Sequence, residues 1–303
     1  MKKIKGLIVA PFTGFTADGD LDLSRVKAQA DFYRKNGVKG AFVAGTSGEG
    51  SSLTMEEKKA LYKEWAAQRP GDDFALIGFV GGTSVRECRE LAVYAKECGL
   101  DAVAMTAPYY QKAANVKVLA QTCAEVASAA PDMPFFFYHI PCLTHVEFPI
   151  YDLLREMDAI IPNLAGIKFT FENMMDYQLC LDYKDRKYTI MWGRDEMMLE
   201  ALSLGADTFV GSTYGYSAPI YNKIMEAYAA GDIKKAAELQ HKACEYITFL
   251  GKYGNGCGKA FMKAVGCDLG PCRLPLSTLT EEQYSALLCD LSKTDFDEYK
   301  CIL

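Results

Sequence analysis

A single lysine stands at the end of an apolar run that reads as a buried strand. Lys168 follows the residues LAGI (164–167). An ammonium group is strongly hydrated, so a salt bridge or a side chain that reaches solvent is the ordinary explanation. The alternative is a reactive amine whose pKa is lowered by the apolar setting. Such a neutral amine can attack a ketone and form a Schiff base.

Hydroxyl groups follow two other predicted strands. Thr46 and Ser47 lie in the turn GTSGEG (45–50), whose backbone N–H groups could hold a carboxylate. Tyr138 ends an apolar run, and a phenol can relay a proton. The turn could equally be an ordinary connection, and Tyr138 could be a core residue. Together with Lys168, these groups predict class I aldolase chemistry on a 2-oxo acid, which needs neither a metal nor a cofactor.

The ends of the other predicted strands carry further polar groups. They include, in chain order, Tyr109, Tyr110, Thr170, Gly193, Arg194, Asp195, Glu196, Gly211, Ser212, Thr213 and Tyr214. Asp195 and Glu196 have a simpler interpretation as the negative first turn of a helix. The reaction hypothesis therefore rests on convergence, because six strand ends supply groups that one reaction can use.

Eight β-rich runs, each followed by a helical pattern, must position these residues. The predicted strands cover 6–12, 40–45, 74–80, 101–108, 134–141, 164–170, 187–193 and 206–212. This alternation predicts an α/β fold, a (β/α)8 TIM barrel, whose active site lies at the C-terminal ends of the strands. A doubly wound open sheet is the alternative, but the GxGxxG fingerprint is missing after the first strand.

The pattern changes after residue 230. Three helical stretches without intervening strands follow, DIKKAAELQHKACEYITFL, GKAFMKAV and TEEQYSALLCDL. We therefore predict a catalytic barrel over residues 1–229 and a three-helix C-terminal extension over 230–303 that packs on the barrel. No linker is long or polar enough for an independent second domain.

Composition narrows the class of protein. The 303 residues carry a net charge of -6 without a basic stripe, which argues against nucleic acid as a partner. No apolar run is long enough to span a bilayer. The 11 cysteines are scattered, form no CxxC, and lack zinc-like spacing to the 3 histidines. We therefore expect reduced thiols, a cytoplasmic location, no bound metal and no membrane contact.

Six short motifs carry a resemblance to a known family. They are GTSGE, APYY, FFFYHIP, GIKFT, GRDE and GSTY. In order and spacing the chain resembles, from about Gly6 to the C-terminal helices, the dihydrodipicolinate synthase / N-acetylneuraminate lyase family of pyruvate-dependent class I aldolases. The resemblance implies that Lys168 is the Schiff-base lysine, that Tyr138 transfers protons, and that Thr46 and Ser47 bind the substrate carboxylate.

The family pattern also implies an assembly. Thr46, Tyr110 and Tyr138 match the family's hydroxyl relay, in which the second tyrosine of PYY reaches across a subunit contact. Tyr110 is therefore expected to serve a neighbouring subunit. Family members are usually homotetramers built as a dimer of dimers, and the resemblance implies the same for this chain.

Within the family, the chain resembles the sialic-acid lyases at several positions. Synthases typically carry an arginine after the tyrosine strand, where this chain has Leu143, and His145 stands where many members have glycine. The resemblance implies that the polyol part of a sugar contacts Thr170, Gly193, Asp195, Glu196 and Ser212. The expected reaction cleaves N-acetylneuraminate, a sialic acid, to N-acetylmannosamine and pyruvate.

Two alternatives stay open from the sequence. One is another enzyme of the family, either dihydrodipicolinate synthase or an aldolase or dehydratase of simpler 2-keto-3-deoxy sugar acids. The other is a non-catalytic sensor that binds a keto acid or sugar on the same scaffold, since a fold alone does not give function.

Overall fold

The computed structural model describes residues 4–303, and its centre is a closed barrel of eight parallel strands. Strands adjacent in the chain are adjacent in the barrel, and the first strand pairs with the last. They are β1 (Gly6–Val9), β2 (Gly40–Val43), β3 (Ala75–Phe79), β4 (Ala102–Thr106), β5 (Phe135–His139), β6 (Leu164–Phe169), β7 (Thr189–Trp192) and β8 (Thr208–Gly211). The predicted (β/α)8 barrel is confirmed, with each strand shorter than predicted.

The barrel is held by side chains on both faces of its strands. Ile8, Phe42, Ile77 and Phe136 belong to a cluster that fills the interior. A larger cluster lies between the strands and the surrounding helices. Because parallel strands are covered on both sides, they are apolar almost throughout, and this is why the sequence shows them as continuous runs rather than alternating ones.

The seams between strands differ in length. β1 and β8 share four residue pairs in register, from Gly6 with Thr208 to Val9 with Gly211. β7 and β8 share a single pair, Trp192 with Phe209. The polar residues that follow β7 and β8 therefore stand on either side of the shortest seam in the barrel.

Helices follow the strands largely as predicted. They are α1 (Arg25–Lys35), α2 (Met55–Ala67), α3 (Val85–Glu97), α4 (Val116–Ala127), α5 (Pro141–Thr144), α6 (Ile150–Ile160), α7 (Met174–Asp182), α8 (Met198–Ser203) and α9 (Tyr214–Ala229). Thr54 and Glu57 form a capping box at α2. The single turn α5 was not predicted. The helix predicted over 195–204 was wrong at its start, because

The C-terminal extension is helical. It contains α10 (Ile233–Tyr253), α11 (Cys257–Ala264), α12 (Glu281–Leu291) and the single turn α13 (Phe296–Tyr299), one more helix than predicted. The long α10 packs along α9, and Cys301 N donates to Tyr216 O at 2.8 Å. The division of the chain at residue 230 stays a prediction. None of the helices in residues 4–303 is long and apolar enough to cross a membrane.

Candidate active site

Lys168 is buried at the end of β6, with only 4% of its surface exposed. Its Nζ lies 3.9 Å from the ring centroid of Tyr138 and 4.2 Å from that of Phe42. Within residues 4–303 no carboxylate forms a salt bridge with it, so the ordinary explanation of a surface ion pair is wrong. Burial lowers the pKa of Lys168 to about 7, an effect that the negative charge of Asp195 partly opposes. Much of the amine is therefore neutral near physiological pH.

Tyr138 and Thr46 come from neighbouring parts of the barrel mouth. The Tyr138 hydroxyl lies 3.4 Å from Thr46 Oγ1, across from the turn that follows β2. The Tyr138 ring packs edge-on against Phe42 and Phe79. Burial raises the pKa of Tyr138 to about 12, against the hydrogen bond from Thr46. Tyr138 is therefore a neutral phenol that can both accept and donate a proton.

Two connected cavities open at this end of the barrel. The inner cavity, of about 230 Å³, is lined by Gly45, Thr46, Ser51, Phe79, Thr106, Tyr109, Tyr138, Ile140, Leu143 and Thr144. The outer cavity, of about 370 Å³, reaches from Thr46, Ser47 and Ser212 to the C-terminal extension. Leu143 is 53% exposed and lines both cavities, so no positive charge stands at the position of the missing arginine.

Asp195 is a buried carboxylate that joins the ends of β7 and β8. Its Oδ2 accepts hydrogen bonds from Thr213 N at 3.1 Å and from Thr213 Oγ1 at 2.6 Å. Its Oδ1 has no partner among residues 4–303. Burial raises the pKa of Asp195 to about 6, while the bonds from Thr213 oppose the rise. A polar ligand group could supply the partner that Oδ1 lacks.

Two glycines make room for the polar side chains around Asp195. A Cβ on Gly211 would lie 1.8 Å from Asp195 Oδ1, and a Cβ on Gly193 would lie 2.0 Å from Thr170 Oγ1. Thr170 Oγ1 is itself buried and without a partner within residues 4–303. The glycines at the ends of β7 and β8 therefore allow Thr170 and Asp195 to occupy their places.

The structure brings together most of the predicted site residues. Ser47 and Ser212 line the outer cavity with Thr46, and Glu196 pairs with Arg194 at 3.3 Å. Tyr110 is different, because 82% of its surface is exposed and no hydrogen bond joins it to Tyr138 or Thr46 within residues 4–303. A single chain therefore assembles two members of the predicted hydroxyl relay.

Two further features were not predicted from the sequence. Thr106 Oγ1 lines the inner cavity without a partner within residues 4–303, and Lys259 of α11 lines the outer cavity. The only signal for Lys259 was a lysine inside an otherwise apolar helical stretch. His145 adopts φ 51°, which explains why glycine suits this position, and histidine is among the residues that tolerate it.

The chain matches known proteins over nearly its whole length. The model of the Dihydrodipicolinate synthetase family matches residues 3–294. N-acetylneuraminate lyase A of Xenopus laevis is 37% identical over 300 residues, covering 97% of this chain and 98% of that protein. The structure of Proteus mirabilis N-acetylneuraminate lyase is 34% identical with a TM-score of 0.94, covering 97% of this chain and 100% of that one.

A dihydrodipicolinate synthase structure is less similar. It is 25% identical with a TM-score of 0.85, covering 96% of this chain and 98% of that one. Family match, relatives and solved structures agree with the buried lysine and phenol at the barrel mouth. The chain therefore belongs to the dihydrodipicolinate synthetase family.

Proposed function

We propose that this protein is a class I aldolase that cleaves N-acetylneuraminate to N-acetylmannosamine and pyruvate. The observation that carries the proposal is the buried Lys168 amine against the Tyr138 ring, with a pKa of about 7. An amine of this kind is a nucleophile at neutral pH without help from a metal or a cofactor. The relatives named N-acetylneuraminate lyase support the choice of substrate.

The first steps bind and activate the keto acid. The carboxylate of the open-chain substrate accepts hydrogen bonds at the turn of Thr46 and Ser47, whose side chains line the cavity mouth. Lys168 Nζ then attacks the C2 ketone, and loss of water gives the protonated Schiff base. This iminium group withdraws electrons from the neighbouring carbons, so that the C3–C4 bond can break.

Tyr138 moves the protons of the cleavage step. Because its pKa is about 12, it starts as a phenol rather than a phenolate. It can take the proton of the C4 hydroxyl only while it passes its own proton to the substrate carboxylate. The C4 oxygen becomes the aldehyde of N-acetylmannosamine, and the bonding electrons move into the enamine. The enamine is then protonated at C3, and water releases pyruvate from Lys168.

The outer cavity suits a long polar substrate. Ser47 and Ser212 line it, while Thr170 and Asp195 Oδ1 offer buried atoms without partners within residues 4–303. We assign these groups, with Gly193 and Glu196, to the polyol part of the sugar. The related synthase reaction requires a second carboxylate to be bound, and Leu143 offers no charge for it.

The proposal is tested by the products that form from three substrate sets. We expect the purified protein to release pyruvate and N-acetylmannosamine in equal amounts from N-acetylneuraminate. We expect far slower release of pyruvate from a 2-keto-3-deoxy sugar acid without the N-acetyl group. With pyruvate and aspartate semialdehyde we expect no condensation product. Turnover confined to either of the last two sets would contradict the proposal and favour another aldolase of the family.

Formation of the lysine adduct is expected to depend on pH. Because a protonated amine cannot attack the ketone, the rate of pyruvate adduct formation should fall about tenfold per pH unit below about pH 7 and level off above it. The adduct is trapped with borohydride and measured by mass spectrometry. Burial lowers the pKa of the neighbouring His139 to about 4, so this group stays neutral through the range.

Asp195→Asn provides the control for the pH profile. The negative charge of Asp195 raises the pKa of Lys168. Its removal should therefore move the inflection of the pH profile to lower pH. An inflection near the pKa of an ordinary lysine in the unchanged protein would contradict a desolvated amine.

The assembly and the location are part of the same proposal. We propose a homotetramer in which Tyr110, with 82% of its surface exposed, completes the site of a neighbouring subunit. All 11 cysteines of the chain are free thiols, which supports a cytoplasmic location. Light scattering of the purified protein tests the tetramer.

A further inference from the structure

Glu49 ends the turn to which we assign the substrate carboxylate. Its backbone lies in the left-handed region, with φ 55°, and its N–H donates to Thr46 O at 3.0 Å. A residue other than glycine rarely adopts this conformation without a compensating interaction. Glu49 is 3% exposed, so its carboxylate points away from water. The partners of that carboxylate therefore help to fix the shape of the turn.

The first partner comes from the C-terminal extension. Lys259 Nζ lies 2.8 Å from Glu49 Oε1, and the two side chains are 5% and 1% exposed. Lys259 also donates to Pro271 O at 2.6 Å and lies 4.2 Å from the ring centroid of Phe15. This buried ion pair joins two segments that are more than 200 residues apart in the chain.

The second partner is the backbone of Arg273, which follows Pro271 in the same segment. Arg273 N donates to Glu49 Oε2 at 2.8 Å. Its guanidinium group binds the carboxylate of Glu57 and donates to Ser52 O at 3.2 Å. Residues 271–273 are thus fastened to the 45–57 region through both ends of the Glu49 carboxylate and through Glu57.

Burying an ion pair costs desolvation, so it rarely persists for stability alone. We propose that Glu49 and Lys259 are positioning residues that hold the Thr46–Ser47 turn in the geometry that binds the substrate carboxylate. The proposal rests on the proposed function and adds that the C-terminal extension sets the affinity for the keto acid. The two residues act through the turn, because Lys259 Nζ is already engaged by Glu49 and Pro271 O.

The test uses near-isosteric neutral variants. Glu49→Gln and Lys259→Met each remove one charge, and the double variant removes both, so that no buried charge is left alone. Lys263→Met is the matched control, because Lys263 is on the same helix and pairs with Glu281 at 3.5 Å on the surface. Borohydride trapping at Lys168 is measured against the concentration of pyruvate and, separately, of hydroxyacetone, a ketone without a carboxylate.

We expect the half-saturating pyruvate concentration to rise about tenfold in each single variant, which corresponds to about 1.4 kcal/mol. The double variant should resemble the single variants rather than show the sum of their effects, because the residues act as one unit. Trapping of hydroxyacetone should be unchanged in all variants. Lys263→Met should behave as the unchanged protein with both ketones.

Two results would overturn the inference. One is an unchanged pyruvate dependence, and the other is an equal loss for pyruvate and hydroxyacetone, which would indicate a general structural role. If a single variant fails to fold, as judged by circular dichroism, the neutral double variant decides between these results. Pyruvate trapping does not require cleavage of N-acetylneuraminate. A protein that traps pyruvate without cleaving the sugar acid would therefore refute the proposed function and still test this inference.

Discussion

Lys168→Ala is expected to lower pyruvate release from N-acetylneuraminate at least about 10⁴-fold, because removal of a covalent nucleophile abolishes the pathway that depends on it. Water or another side chain cannot form the iminium group that withdraws electrons from C3. The rate is measured by coupling pyruvate to lactate dehydrogenase. Borohydride trapping with pyruvate should give no adduct in this variant, whereas the unchanged protein should gain one reduced adduct at Lys168.

Lys58→Ala is the matched control for this substitution. Lys58 on α2 is also largely buried, with 9% of its surface exposed, and burial lowers its pKa. It lies outside the barrel mouth, so its loss should leave the adduct and the turnover in place. Residual turnover of Lys168→Ala near that of the unchanged protein would refute the Schiff-base mechanism altogether.

Tyr138→Phe is expected to lower kcat by about 10²- to 10⁴-fold, the range attributed to a positioned proton donor or acceptor. The variant keeps the ring that packs against Lys168 Nζ at 3.9 Å and removes only the hydroxyl that contacts Thr46. The amine should therefore stay desolvated. Turnover of N-acetylneuraminate and trapping of pyruvate at saturation are measured side by side, with the larger effect expected on turnover.

The control for Tyr138→Phe is a second buried phenol. The hydroxyl of Tyr246 on α10 has no hydrogen-bond partner among residues 4–303, so Tyr246→Phe should change neither quantity. If Tyr138→Phe kept nearly full turnover, proton transfer would have to be assigned to another group, such as the substrate carboxylate acting with Thr46.

The barrel was predictable because its strands are short, apolar and regularly followed by helices. Pattern reasoning failed where a segment was only one turn long, as in α5 and α13, and where Asp195 begins a 3₁₀ turn. These differences arise because one-turn segments have too few residues to show a period. The architecture therefore followed from the chain, while the ends of its elements did not.

The site was predictable to the extent that its residues follow strands. Lys168, Tyr138 and Thr46 could be placed together because parallel strands present their carboxyl ends on one face. The ion pair of Glu49 with Lys259 could not be predicted, because a contact between a turn and a distant helix leaves no local pattern. The surroundings of Tyr110 were likewise beyond reach, since 82% of this residue is exposed in one chain.

The short seam between β7 and β8 has a consequence for the motions of the barrel. With one residue pair in register, few main-chain hydrogen bonds close it, and the Asp195 carboxylate takes over at the top by binding Thr213 N and Oγ1. This is where amide protons should exchange with solvent soonest, since local opening starts where main-chain bonding is sparse. A sugar that bridges the ends of both strands would act as a clasp, so that the enzyme becomes most rigid only while its substrate is in place.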